Sequence, residues 1–420
     1  MSKPRSSRKW SWLIVAIAAT GLLLSSPAPS AAAKKDKKAA KQKAEEPKFT
    51  PETITLPEIE TSIEQAVDAL YDMKPRYTIA PFYRHHHRRW RRHYSTQLGN
   101  HALAAWALLS SGESYQMPNL YRRINLVLTY DLPFTYFRGM RAQMLAQLPR
   151  ARWTQWVVRD ASWFTGAVTT QGNFEATWTG GRSDAFGDHA NGQYGVLGLW
   201  ACERSGYPIS NKIWQAIDQH WRKAQDPKSG GWAVGEVGKA KQAFEARVSG
   251  PMTAGGVSVL SLTERYLYGP KLTGVGEESM SDELRNGIGW LDTNFSLDDK
   301  AEQEDFYYYM WTIQRVGHVT GYRTFNDIDW YRHVTARLLN MQQDNGRWDG
   351  PKGELLSTGF ALLYMAQARR PLAISKVRFD HPWNNRPHDV LNFVDYASDV
   401  FEVPFTWQIA ELDQPVHELI

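Results

Sequence analysis

Between about residues 61 and 370 the chain repeats one pattern: an apolar helix, a short Gly/Pro turn, and a second, amphipathic helix ending in a Gly/Trp turn. The apolar stretches fall at 98–110, 194–204, 257–268, 306–316 and 359–368. Several are apolar nearly all round, so each must be covered on every side. Ser205-Gly206-Tyr207-Pro208, Gly269-Pro270 and Gly317-His318-Val319-Thr320-Gly321 stop one helix and turn the chain. Amphipathic partners follow at 211–223, 282–292 and 329–339. No alternating strand pattern recurs, so the expected class is all-α.

The second helix of each pair ends in a related phrase. Gln342-Gln343-Asp344-Asn345-Gly346-Arg347-Trp348 fits Gln-x3-Gly-x-Trp, and Gln225 to Trp232 is the same phrase one residue longer. Weaker copies stand at Gln171-Gly172-Asn173-Phe174 and around Trp290 to Phe295. Gln171, Gln225 and Gln342 fit a repeat of about 55 residues, which means stacked or ring-closed helix pairs sharing one core. The phrase has a physical task. Gln bonds an orphan backbone group at the helix end, Gly permits the turn, and Trp packs over the next pair.

Composition sharpens this picture in two places. Eighteen Trp among 420 residues, about 4%, predict a wide aromatic interior. The single cysteine, Cys202, excludes an intrachain disulfide, a Cys-rich zinc site and a CxxC redox pair. The net charge of +5 conceals an asymmetry, because residues 1–46 hold ten Lys/Arg against three acids and leave −2 for the rest. Lys3, Arg5, Arg8 and Lys9 precede an apolar run over 12–24 and the small residues Ser30 to Ala33, the order of a secretory signal. The expected organisation is a signal peptide at 1–33, a charged linker at 34–60, a helical repeat domain at 61–375 and an extension at 376–420. Export to the periplasm or cell envelope follows, with an uncleaved leader acting as a single N-terminal membrane anchor as the alternative.

These residues carry a resemblance. The repeat is similar to that of the terpenoid cyclase and protein prenyltransferase superfamily, whose fold is an α/α toroid of inner and outer helices around a central cavity. Asp188-His189-Ala190-Asn191-Gly192-Gln193-Tyr194, then Gln225 to Trp232, then Gly250-Pro251-Met252-Thr253-Ala254-Gly255-Gly256 resemble, in that order, an exported bacterial branch. In that branch a prenyltransferase and squalene-oxidase-repeat toroid precedes a C-terminal domain of unknown function. Trp383-Asn384-Asn385-Arg386-Pro387-His388-Asp389-Val390 resembles its exit from the toroid. The resemblance runs from about Thr61 to Trp407 and implies a toroid-only member or a truncated chain, with 376–420 opening a missing second domain.

The superfamily's two chemistries leave marks that this sequence lacks. Cyclases of this kind resemble one another in an Asp-x-Asp-Asp run, in which neighbouring carboxylates polarise the acid that protonates an alkene. The nearest runs are Asn326-Asp327-Ile328-Asp329 and Leu297-Asp298-Asp299-Lys300, which read as solvated loops; Asp298-Asp299 with Glu302 mimics a magnesium-diphosphate motif only weakly. Prenyltransferases resemble one another in an Asp/Cys/His zinc set, whereas Cys202 lies in an apolar helix and reads as a small core residue. Neither a metal nor a cofactor is expected.

The remaining candidates are polar residues placed before inner helices. Asp188 and His189 read either as a helix cap or as an acid/base pair, and Glu304-Asp305 before Tyr307 and Tyr308 has the same placement. Asn191, Gln193, Tyr307 and Tyr308, with Glu175 and Trp178 in a long Gly-bearing loop, are candidate ligand contacts. Arg84, Arg88, Arg89, Arg91 and Arg92, interleaved with four His, form a cationic patch on an otherwise acidic body. It reads as an exposed helix face or as an anionic membrane or glycan contact, rather than as a nucleic-acid site. The expected function is a non-cyclase ligand-binding or scaffold module of the cell envelope, taking an apolar or carbohydrate ligand, with an envelope protein as candidate partner. The alternatives are an (α/α) hydrolase or lyase on polysaccharide, which needs a carboxylate pair across the cavity, and a divergent isoprenoid cyclase.

Overall fold

The computed structural model describes residues 47–75, 88–174, 188–235, 246–268, 280–298, 305–401 and 403–412, with 88–97 described by backbone alone. The expected signal at 1–33 and the first part of the linker lie outside these residues. The chain is mostly helical, with thirteen helices among the described residues. In order they are α1 (Leu56–Asp72), α2 (Arg88–Ser110), α3 (Pro118–Thr129), α4 (Thr135–Leu145), α5 (Arg150–Ala167), α6 (His189–Arg204), α7 (Asn211–Ala224), α8 (Gly250–Leu267), α9 (Asp282–Asn294), α10 (Phe306–Thr320), α11 (Trp330–Met341), α12 (Glu354–Ala368) and α13 (Asp389–Phe401).

The even-numbered helices pack in a closed order. α2 lies on α4, α4 on α6, α6 on α8, α8 on α10, α10 on α12, and α12 returns to α2. The odd-numbered helices pack outside them, with α3 against α2, α5 against α4 and α6, α7 and α9 against α8, and α11 and α1 against α12. The apolar sequence stretches became the inner helices because only that position covers them on every side. The linker boundary at 60 falls inside α1, which starts at Leu56 because Thr55 and Glu58 form a capping box and Pro57 sits in the first turn.

The Gln-Gly-Trp phrase performs one job in each copy. Gln225 Nε2 donates to the Gly230 carbonyl at 2.7 Å and to the Glu283 carbonyl of α9 at 2.7 Å. Gln342 Nε2 donates to the Gly346 carbonyl at 3.2 Å and to the Ser62 carbonyl of α1 at 3.0 Å. Trp232 and Trp348 are both fully buried, and each indole N–H donates to a carbonyl of its own outer helix, Trp221 O at 2.8 Å and Leu338 O at 2.9 Å. Gly230 and Gly346 adopt φ +80 and +75, and a Cβ on Gly346 would lie 2.3 Å from the Gln65 carbonyl. Each phrase thus ties one outer helix to the next, α7 to α9 and α11 to α1. The last tie closes the ring.

The structure departs from the sequence expectation in three ways. α6, α8 and α12 begin one to two turns earlier than their apolar stretches, and glycines inside α6 and α8 serve as sockets for rings: Gly195 faces Phe174 and Gly256 faces Trp232. α4, absent from the apolar stretches, is an inner helix carrying the fully buried Arg138 and Arg141. Their guanidiniums converge on Asp160 of α5, also fully buried, with Arg138 Nη1 at 2.8 Å and Arg141 Nε at 2.9 Å. Burial would raise the Asp160 carboxyl, but Arg141, Arg138 and Arg159 hold it below the ordinary carboxylate range.

The third departure is that two short two-stranded sheets accompany the helices of a mostly helical chain. β1 (Thr324–Phe325) and β2 (Ile328–Asp329) make a hairpin whose turn residues Asn326 and Asp327 both have positive φ, so the expected solvated loop is a tight turn. β3 (Leu372–Arg378) pairs in parallel with β4 (Thr406–Glu411), and α13 is the crossover between them. This unit docks on the C-terminal ends of the inner helices. Trp407 Nε1 donates to the His318 carbonyl at 2.8 Å, Ile409 N to the Gly321 carbonyl at 2.7 Å, and Arg265 pairs with Asp395 at 2.8 Å. Leu391, Val394, Trp407 and Ile409 form its buried core, while Phe393, Tyr396 and Phe401 on the other face of α13 are 55, 69 and 67% exposed.

Candidate functional site

Of the predicted acid/base residues, Asp188, His189 and Asp305 lie among the described residues, and each has structural partners. Asp188 caps α6, accepting the Asn191 backbone N–H at 2.6 Å and the Asn191 side-chain amide at 3.0 and 2.9 Å. Asn191 therefore turns back to the cap. His189 is fully buried; its Nδ1 donates to the Ala233 carbonyl at 2.7 Å, leaving Nε2 to face His220 Nε2 at 3.1 Å. A carbonyl only accepts, so in the neutral ring His189 Nε2 accepts and His220 donates. Asp305 pairs with Lys352, and Tyr307 donates to the Asp349 carbonyl at 2.7 Å. Burial pushes the Tyr307 hydroxyl up to about 12.

Gln193 and Tyr308 are brought together. Gln193 is fully buried on α6 and its amide donates to the Tyr308 hydroxyl of α10, joining two inner helices across the ring. Its Oε1 has no hydrogen-bond partner and lies against Gly255 of α8, whose missing Cβ makes room for the amide. Burial raises the Tyr308 hydroxyl far above the ordinary phenol range, so it is neutral and available as donor and acceptor.

Around this bond stands a wall of rings from five inner helices. Tyr194 of α6 stacks near Tyr308 at 5.9 Å and near Trp311 at 6.3 Å between centroids. Tyr136 of α4 meets Tyr194 at 4.3 Å, Phe360 of α12 meets Tyr308 and Trp311 at 5.8 and 5.6 Å, and Trp106 of α2 meets Trp311 edge-on at 5.5 Å. α8 contributes Gly255, against the Gln193 amide, instead. Tyr136 and Tyr308 keep accessible surface among these buried neighbours.

One charge stands in this wall. Arg315 lies seven residues after Tyr308 and four after Trp311, on the same face of α10, with its guanidinium 5.0 Å from the Trp311 ring centre. Nη1 is buried and has no hydrogen-bond partner, and no carboxylate among the described residues pairs with it. Burial pushes its pKa down to about 10. Sequence reasoning passed over Arg315, although a lone arginine inside an otherwise apolar helix was its signal.

Other candidates lie elsewhere. Glu175, Trp178, Glu304 and Arg84 are outside the described residues, and Arg88, Arg89, Arg91 and Arg92 open α2, described there by backbone alone. Cys202 is buried against the Val157 carbonyl, and burial raises its thiol. Asp298 is exposed and pairs with Arg337 at 2.9 Å, and Asp329 caps α11. A cleft of about 220 Å³ opens between Val248, Trp290, Asn294 and Ser296 at the rim of α8 and α9. Among the described residues no helix is long and apolar enough to cross a membrane, and no three His, Cys, Asp or Glu side chains cluster as a metal site.

No family model matches the chain, and no curated protein matches it. Among solved structures it is similar to the apo structure of the type II terpene cyclase MstE from Scytonema, with a TM-score of 0.44 and 9% identity over 74% of this chain and 99% of that one.

Proposed function

We propose that this protein is an α/α toroid of the cell envelope that binds an apolar ligand in its aromatic centre and does not cyclise it. The observation that carries this reading is the ring wall itself: Tyr136, Tyr194, Tyr308, Trp311 and Phe360 from four inner helices, with Gln193 as a neutral polar clamp. Such a lining, mostly apolar with a few placed polar groups, suits recognition of a small molecule. The polysaccharide hydrolase or lyase reading has less support, because Asp188 is spent on the α6 cap and Asp305 on Lys352. A cyclase needs a polarised acid at the centre; among the described residues the polar groups around Tyr308 are the Gln193 amide, phenols and the Arg315 guanidinium, and the nearby carboxylate, Asp188, caps α6. Envelope residence rests on the charge and apolar order of residues 1–33. The test is native mass spectrometry, with lipid and glycan extraction, of the protein purified from its own envelope fraction. A co-purifying apolar molecule is expected. A bound oligosaccharide would replace this reading with the polysaccharide one, and a ligand-free protein with stoichiometric partner proteins would replace it with a scaffold.

A further inference from the structure

A guanidinium is costly to hide. Taken out of water without a counter-ion, a cation loses hydration that nothing repays, and native proteins pair such groups or do without them. The two fully buried arginines of the inner helices follow the rule: Arg138 and Arg141 share Asp160. Arg315 departs from it. It has one recorded partner, the face of Trp311, and the groups that raise its pKa against burial are the phenols Tyr308 and Tyr194, both neutral. Cation–π contact offsets part of the desolvation and leaves the hydrogen-bonding edge of the guanidinium unspent.

We propose that Arg315 is the head-group site for an amphiphilic anion, a carboxylate whose apolar body lies along Tyr308, Trp311 and Phe360. The geometry supports each part. Tyr308, Trp311 and Arg315 share one face of α10; Tyr308 and Arg315 keep accessible surface while Trp311 and Phe360 are buried behind them, so a ligand reaching the cation passes Tyr308 and backs onto those rings. A planar fork of N–H groups suits the two oxygens of a carboxylate, and the low-polarity surroundings strengthen the pairing. This inference rests on the ligand-binding reading above and adds the chemical class of the ligand.

The experiment titrates the full chain with laurate, dodecanol and inorganic phosphate, following tryptophan fluorescence and calorimetry. Laurate is expected to bind at least about tenfold more tightly than dodecanol, the worth of one charge-assisted pair. Arg315→Met is expected to erase that preference while leaving dodecanol affinity within about twofold, and Arg315→Lys to restore part of it. Without ligand, Arg315→Met is expected to melt at or above the parent temperature, since it removes a half-buried charge that no carboxylate among the described residues pairs with. Equal binding of laurate and dodecanol, unchanged by Arg315→Met, would overturn the head-group assignment and leave the ligand-binding reading standing. Phosphate binding as tightly as laurate would overturn the amphiphile and leave a simple anion site. Failure of both laurate and dodecanol would overturn the ligand-binding reading itself. A lower melting temperature for Arg315→Met would make Arg315 a structural residue and overturn the assignment.

Discussion

The helical ring and the β3–α13–β4 unit solve the same problem in opposite ways. In the ring, each apolar helix is enclosed by two inner neighbours and an outer partner, and Trp232 and Trp348 are fully buried under repeated ties. The C-terminal unit has two strands and one helix, buries a small cluster around Trp407, and leaves Phe393, Tyr396 and Phe401 in solvent. Repetition lets the ring share one core among six pairs, whereas a two-stranded parallel unit has too little surface of its own to do so. Its order comes from docking on His318, Gly321 and Arg265 of the ring.

The largest way to break this comparison lies in α4 and α5. Asp160→Asn would leave Arg138 and Arg141 buried against a neutral amide, at a cost of about 3–5 kcal/mol, measured by urea unfolding of the whole ring. Trp348→Ala and Trp407→Ala separate the two regions. Each deletes a buried indole worth about 3–5 kcal/mol, yet the first is expected to lower global stability and the second to release the C-terminal unit alone. Limited proteolysis tells them apart, with cleavage near β3 for Trp407→Ala and an intact ring. If Trp407→Ala unfolds everything, the two regions are one cooperative body.

Smaller effects sharpen the same contrast. Gly346→Ala places a methyl against the Gln65 carbonyl at φ +75, and is expected to cost about 1–3 kcal/mol at the closure between α11 and α1. The pH dependence follows from two histidines with an ordinary value of 6.5: burial and the nearby Arg370 push His318 down to about 4, and burial and Arg123 push His101 down to about 3. Between those values the unfolded chain takes up protons that the folded chain refuses, so stability falls as pH drops through that window and levels off below it. His318→Gln is expected to remove its share of the fall and leave that of His101, read from melting temperature against pH. Asp160, held low, withdraws its contribution only at more acidic pH, below the ordinary carboxylate value of 3.8. The smallest change is expected from Phe393→Ser on the exposed face of α13, within about 0.5 kcal/mol.

Much of the ring was legible in the sequence. All-round apolar stretches identified five of the six inner helices, and the Gln-Gly-Trp phrase told which residues turn the chain, because one physical task recurs at fixed spacing. α4 was missed since two arginines interrupt its apolar pattern, and their partner Asp160 lies on another helix. The β3–α13–β4 unit was missed because β3 is half exposed and shows no two-residue alternation. The site was less legible than the fold. Residues standing before helices attracted attention, and in the structure Asp188 caps α6 while His189 bonds the Ala233 carbonyl. Gln193 and Tyr308 were singled out, but their meeting depends on ring closure across 115 positions of chain. Arg315 acquires meaning only when its lack of a partner is seen in three dimensions.

The most direct test is a crystal structure of the protein with a bromine-tagged laurate, using the anomalous signal of bromine to place the tail. The account predicts carboxylate oxygens within hydrogen-bonding reach of the Arg315 guanidinium and bromine among Tyr308, Trp311 and Phe360. A carboxylate of the protein itself paired with Arg315, or a ligand seated on the outer face of α13, would contradict it.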